Sequence, residues 1–192
     1  MSTIEFSTDW DVVRPYWPQL FADHELTGKP GLRFLEIGCF EGQATLWLLE
    51  NVLTDPSSRI TVVDTFQGSP EFEAMGVDAS DIYGRFRANL GNHTDRISIC
   101  KGRSGDVLRA LEGPFDFVYV DGSHMAADVL QDAVLAWPLL ESGGLLCFDD
   151  YAWGLQLPIH ERPKAGVDAF VNVYRRELSL VHTRYQFVVR KR

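Results

Sequence analysis

Cysteine is scarce in this 192-residue chain: Cys39, Cys100 and Cys147 are the whole set, and no two of them form a CxxC pair. An odd number of thiols in or beside apolar runs excludes a disulfide framework and a zinc ribbon. It implies buried thiols in a reducing, cytoplasmic setting. Positive charge is short as well: 18 Lys and Arg against 27 Asp and Glu give a formal charge of -9. Without a basic stripe such a surface is unsuited to phosphodiester backbones, so no nucleic-acid partner is expected. No apolar run approaches the length of a membrane span, and the opening MSTIEFSTDW lacks the basic-then-apolar order of a leader. No membrane partner is expected either.

What is present is an alternation. RFLEIGC (33–39), RITVVDTF (59–66), RISICKG (96–102), FDFVYVDG (115–122) and GLLCFD (144–149) are short and apolar and read as strands. Between them 41–53, 81–90, 104–112 and 126–140 read as helices, and 166–178 follows as a last one. Residues 67–80 are rich in Gly, Ser and acids and read as a long loop. Strands alternating with helices predict an α/β fold, a parallel sheet doubly wound by right-handed crossovers. The tail 179–192 splits into two strand-like halves about a turn near His182–Arg184, predicting a C-terminal hairpin with an antiparallel strand. The length suits one domain over 1–192. Residues 1–32, with Trp10, Val13, Trp17, Leu20 and Phe21, read as a helical cap that Pro15 and Pro18 should interrupt.

In an open parallel sheet, ligands bind beyond the carboxyl ends of the strands. The five strands deliver there Glu36, Gly38 and Gly42; Asp64; Gly102, Arg103 and Ser104; Asp121 through His124; and Asp149 with Asp150. Gly38 and Gly42 let the backbone turn tightly before a helix. Their spacing is GxxxG, not the GxGxxG that cradles a pyrophosphate. An acid closing the second strand, Asp64, is placed to accept from ribose hydroxyls; the alternative is a solvated strand-end acid. Together these features suit a nucleoside ligand without a diphosphate.

FLEIGCFEGQATLWLL, ITVVDTF, FDFVYVDGSH and LLESGGLLCFDDY resemble class I S-adenosylmethionine-dependent methyltransferases, over roughly 33–192. Among these the likeness is to catechol-type and macrocin-type small-molecule O-methyltransferases. The resemblance implies a mostly parallel, seven-stranded Rossmann-like sheet. It places S-adenosylmethionine on Glu36, Gly38, Phe40 and Gly42 around the methionine part, Asp64 at the ribose and Ser104 at the adenine edge, with Asp121 adjoining. It also implies a divalent cation, Mg²⁺, on Asp121, Asp149 and Asp150, and a small-molecule hydroxyl acceptor. A monomer or homodimer is expected. The catechol type carries a lysine base three residues after the strand-four acid; His124 stands there in this chain, so His124 and Asp121 are the catalytic candidates.

The stretch GGLLCFDDYAWG (143–154) poses its own question, because adjacent carboxylates repel unless something cationic or protic lies between them. A hard divalent cation, which takes about six oxygens, answers it. The alternatives are a solvated loop, or acids that hold an amine or sugar in a metal-independent N- or O-methyltransferase. A nucleotide-binding oxidoreductase, which the absent GxGxxG opposes, and an inactive binding domain complete the set. His124 reads as a base with a pKa near working pH, as a metal ligand, or as an exposed loop residue. Tyr151, Trp153, His160 and Arg162 read as a loop over the site, and 67–80 and 154–164 as mobile flanks. His24, His93 and His182 read as surface or structural residues.

Overall fold

Seven strands form one sheet in this computed structural model, which describes residues 4–8, 15–69 and 76–192. They are β1 (Arg33–Ile37), β2 (Arg59–Asp64), β3 (Ile97–Lys101), β4 (Phe115–Val120), β5 (Leu140–Phe148), β6 (Leu178–Thr183) and β7 (Phe187–Lys191). Their order is β3-β2-β1-β4-β5-β7-β6, with the first five parallel and β7 antiparallel to both β5 and β6. The helices are α1 (Trp17–Asp23), α2 (Gln43–Asn51), α3 (Ile82–Leu90), α4 (Ser104–Val107), α5 (Ala126–Ala136) and α6 (Pro163–Tyr174). Strand order reverses between β1 and β4, which opens a cleft at their carboxyl ends.

The central strands are oily on both faces because both faces are covered. In β4, Phe117 and Tyr119 meet Trp17, Phe21 and Leu48 of α1 and α2. Val118 and Val120 face the other way, toward Val129, Val167 and Phe170 of α5 and α6. Trp17 is fully buried, edge-on to Phe21, Trp47, Phe117 and Tyr119 at centroid distances between 5.1 and 6.3 Å. Each such side chain contributes on the order of 3 kcal/mol through burial alone. Residue 18 is a proline in the first turn of α1, where its missing N–H costs nothing, so Pro18 opens this helix instead of interrupting it. Trp10 and Val13 lie outside the described residues.

Several boundaries shift from the sequence expectation for local reasons. The helix expected over 126–140 stops at Ala136, because Pro138 forces the chain into a 3₁₀ turn. β5 starts at Leu140, earlier than expected, and its pairing with β4 slips between Phe115 and Phe117. Gly143, at φ +84°, helps take up that slip. Pro163 starts α6 three residues before expectation, a favoured place for proline. The helix expected over 104–112 is only the four residues of α4. A register shift between Leu180 and His182 carries β6 on to Thr183, so the hairpin turn falls at 184–186. Among the described residues no helix is long and apolar enough to cross a membrane.

Candidate active site

Backbone hydrogen bonds tie the strand ends into one row. Gly102 N donates to Asp64 O (2.9 Å), Gly38 N to Val63 O (2.8 Å), Asp121 N to Ile37 O (2.8 Å) and Asp149 N to Val120 O (2.9 Å). The strand-end residues singled out in the sequence therefore share one edge.

On the β1 side the chain makes a strained turn. Gly38, Phe40 and Gly42 all have positive φ (82°, 45° and 85°). A Cβ on Gly38 would lie 2.1 Å from the carbonyl oxygen of Asp121, so only glycine lets β1 pack against β4 here. Asp64 braces the turn: its Oδ2 accepts from Cys39 N (2.7 Å) and Phe40 N (3.0 Å), and its Oδ1 from Phe66 N (2.6 Å). The Cys39 thiol also bonds to Asp64, so the turn itself occupies about all four acceptor positions of this carboxylate. Glu36 is turned inward, 1% exposed, and accepts from Thr45 Oγ1 at 2.6 Å.

Glu41, not foreseen in the sequence, is equally buried. It pairs with Arg85 Nε at 2.6 Å and accepts from Ser7 N (2.7 Å) and Ser7 Oγ (2.9 Å), anchoring the turn to α3 and to the chain near residue 7. Nothing in the local sequence links Glu41 to a partner 44 positions away. Ser104 opens α4 and donates to Asp132 of α5, whose carboxyl is pushed up to about 6 by burial, with Asp128 adding and Ser104 opposing.

On the other side of the cleft the acids converge. Asp150 adopts φ +54°, a left-handed conformation that Asp tolerates better than most residues. This breaks strand alternation, so adjacent side chains no longer point to opposite faces. Asp121, Asp149 and Asp150 each bring a carboxylate oxygen within 4.8 Å of the other two. Asp149 is 9% exposed; Tyr119 OH donates to its Oδ2, and Gln186 Nε2 (2.8 Å) and Asp150 N (2.9 Å) donate to its Oδ1. Burial first, then the charge of Asp150, raises the Asp149 carboxyl pKa against these hydrogen bonds.

Asp150 accepts from Tyr185 OH at 2.6 Å through Oδ1, while its Oδ2 lies 2.9 Å from His124 Nε2. Burial and the bond to Asp150 push the Tyr185 phenol up. The His124 ring rests 4.3 Å from the Trp153 ring, centroid to centroid. A small pocket beside Asp121, His124, Asp149 and Asp150 is closed by Val120, Gly122, Ser123, Val129 and Pro163.

Of the loop residues expected over the site, Trp153 joins it and the others turn elsewhere. Tyr151 donates to Asp168 Oδ1 (2.9 Å) and accepts from Lys164 Nζ (2.7 Å). His160 is exposed beside Glu161, and Arg162 Nε donates to Leu157 O. His182 is structural, stacked on Tyr16 at 3.8 Å. Tyr119, Tyr185 and Gln186 were not picked out in the sequence. The available signal was a lone amide, Gln186, at the head of the buried run FVV.

A strained glycine turn and a row of acids thus stand at the switch point of this sheet. The chain belongs to the methyltransferase-domain family, whose model matches residues 35–151, more than half of its length. The O-methyltransferase hkm8 of Aspergillus hancockii is 29% identical over 134 residues, covering 70% of this chain and 47% of that protein. The chain thus spans about half the length of the curated relative it matches. A SAH-bound methyltransferase from Podospora anserina superposes with a TM-score of 0.61 at 22% identity, over 97% of this chain and 80% of that one. The MycE methyltransferase of the mycinamycin biosynthetic pathway, solved with Mg, SAH and mycinamycin VI, gives 0.60 at 20% identity, over 92% and 48%. These structures share the fold.

Proposed function

We propose that the chain is an S-adenosylmethionine-dependent O-methyltransferase acting on a hydroxyl of a small molecule, with a divalent cation, Mg²⁺, at Asp121, Asp149 and Asp150. The observation that carries this is the convergence of three carboxylates on the same strand edge as the Gly38 turn, which packs directly on the Asp121 backbone. The relatives support this reading: one is an O-methyltransferase, and another was solved with both Mg and SAH.

The residues suit both groups. Three carboxylates are the all-oxygen donor set of a hard cation. Asp149 has about one acceptor position left beside its three protic donors, enough for one bond to an ion. Asp64 would accept from a ribose hydroxyl in place of the weak Cys39 thiol donor, and Glu36, Phe40 and Gly42 frame the turn beside it. Ser104, bonded to Asp132, would lie at the adenine edge.

A cation held by Asp121, Asp149 and Asp150 would supply positive charge that lowers the pKa of an acceptor hydroxyl. His124, whose Nδ1 is buried, would take the proton of that hydroxyl at Nε2, where Asp150 Oδ2 at 2.9 Å accepts the N–H that forms. Trp153, tilted against the His124 ring, gives an apolar wall for the acceptor. Bound S-adenosylmethionine would supply the methyl group and leave as S-adenosylhomocysteine, and the chain would contribute alignment and charge placement.

A second reading rests on the same 2.9 Å contact: His124 and Asp150 form a base and its orienting acid that work without a cation. His124→Ala separates them. In the cation reading the rate falls and recovers partly at higher pH; in the second it is lost at every pH. The test of the function itself is mass spectrometry of a panel of catechols, flavonoids and sugar-bearing natural products incubated with protein and S-adenosylmethionine. A product one methyl group heavier is expected. No product, together with no calorimetric binding of S-adenosylhomocysteine, overturns the reading.

A further inference from the structure

We propose that Tyr185 and Gln186, consecutive residues in the turn between β6 and β7, are positioning residues that hold the acid pair in the geometry a cation requires. This rests on the cation reading above. Each holds one oxygen of one acid: Gln186 Nε2 donates to Asp149 Oδ1 at 2.8 Å, and Tyr185 OH donates to Asp150 Oδ1 at 2.6 Å.

The orientation of the Gln186 amide is fixed by what lies behind it. Its Oε1 accepts from Trp17 Nε1 at 2.9 Å, and an indole nitrogen can only donate. Tyr16 OH donates to the same oxygen at 2.5 Å. A flipped amide would set its N–H groups against the indole N–H, so the NH₂ end must face Asp149. Gln186 is fully buried, and its NH₂ also lies 3.3 Å from Tyr119 OH, the donor to the other Asp149 oxygen. The rotamer of Asp149 is therefore set from two sides, and helix α1 is wired to the site through one side chain.

The turn is tied down as well. Arg184 N donates to Gln186 O (2.9 Å), and Ala152 N, two residues beyond Asp150, donates to Tyr185 O (3.2 Å). Two neighbouring carboxylates would otherwise splay to relieve their repulsion. Neutral donors on one oxygen of each acid oppose that motion without contributing a competing positive charge, while Tyr119 OH and His124 Nε2 meet the other two oxygens.

The experiment is a Mn²⁺ titration followed by electron paramagnetic resonance on wild type, Gln186→Leu and Tyr185→Phe, with S-adenosylhomocysteine affinity measured by calorimetry on each. Loss of an outer partner of a metal ligand costs about 10- to 100-fold in metal affinity, so Gln186→Leu is expected in that range and Tyr185→Phe near its lower end, with S-adenosylhomocysteine affinity held within about twofold. Mn²⁺ affinities equal to wild type overturn the proposal. So does a parallel loss of S-adenosylhomocysteine affinity, which would mean general loosening. If Gln186→Leu fails to fold, Tyr185→Phe, at a half-buried position, decides alone. A wild type that takes no Mn²⁺ at all is a different result: it overturns the cation reading, and this proposal with it.

Discussion

The two sides of the cleft are built by different means. The turn at 38–42 is braced from within the first half of the chain: Asp64 reaches Cys39 over 25 positions, Glu36 reaches Thr45 over 9, and Arg85 reaches Glu41 over 44. The acid cluster is held by the far end of the chain. Tyr185 and Gln186 reach it over 35 and 37 positions, and Gln186 is itself held by Tyr16 across 170. The first side depends on backbone conformations that few residue types adopt. The second depends on the electrostatic surroundings of ordinary acids, which distant residues supply.

The contrast is broken most severely at Gly38. Gly38→Ala places a methyl group 2.1 Å from the Asp121 carbonyl at a positive φ, so both sides should fail together. A loss of about 3 kcal/mol or more is expected in denaturant unfolding, from strain and overpacking combined. The acid side should fail alone in Asp149→Asn or Asp150→Asn: turnover falling about 100-fold, or ~2.7 kcal/mol, with S-adenosylhomocysteine affinity unchanged. The turn side should fail alone in Asp64→Ala, which strips the acceptor from three backbone N–H groups. Calorimetry should show S-adenosylhomocysteine binding weakened by about 1.5–3 kcal/mol, with Mn²⁺ affinity unchanged.

The smallest effect concerns Asp132, buried behind Ser104 with its pKa raised from 3.8 to about 6. A carboxyl raised on folding contributes stability that is complete below its unfolded pKa and is lost as pH rises through about 6. Wild type should therefore lose stability relative to Asp132→Asn between about pH 4 and pH 7, by ~2 kcal/mol at most. Thermal unfolding at both pH values checks this; parallel curves would mean that Asp132 stays ionised.

The same contrast explains what could be read in the sequence. The five parallel strands, their helices and the turning back of the tail follow from apolar periodicity, and the observed sheet agrees. Gly38, Gly42 and Asp64 were legible because a tight turn and a strand-end acid have fixed offsets. The pairing of Asp149 with Asp150 posed its question in sequence, and the left-handed backbone of Asp150 supplies part of the answer. The rest was hidden. Tyr119 reads as one more core aromatic, and Gln186 as a loop amide, until a fold brings them onto one carboxylate. Where Pro138 ends one helix and Pro163 begins another, the residues themselves carried the signal, and the difference from expectation is one of boundaries.

The central claim is that the acid side of the cleft serves methyl transfer through a cation while the turn side holds the cofactor. Its most direct test is the rate of methylated-product formation after exhaustive chelation and then after Mg²⁺ is restored, with S-adenosylhomocysteine binding measured in both states. The account predicts that product formation stops on chelation and returns with Mg²⁺, while S-adenosylhomocysteine binds equally in both. An undiminished rate in the chelated protein would contradict it.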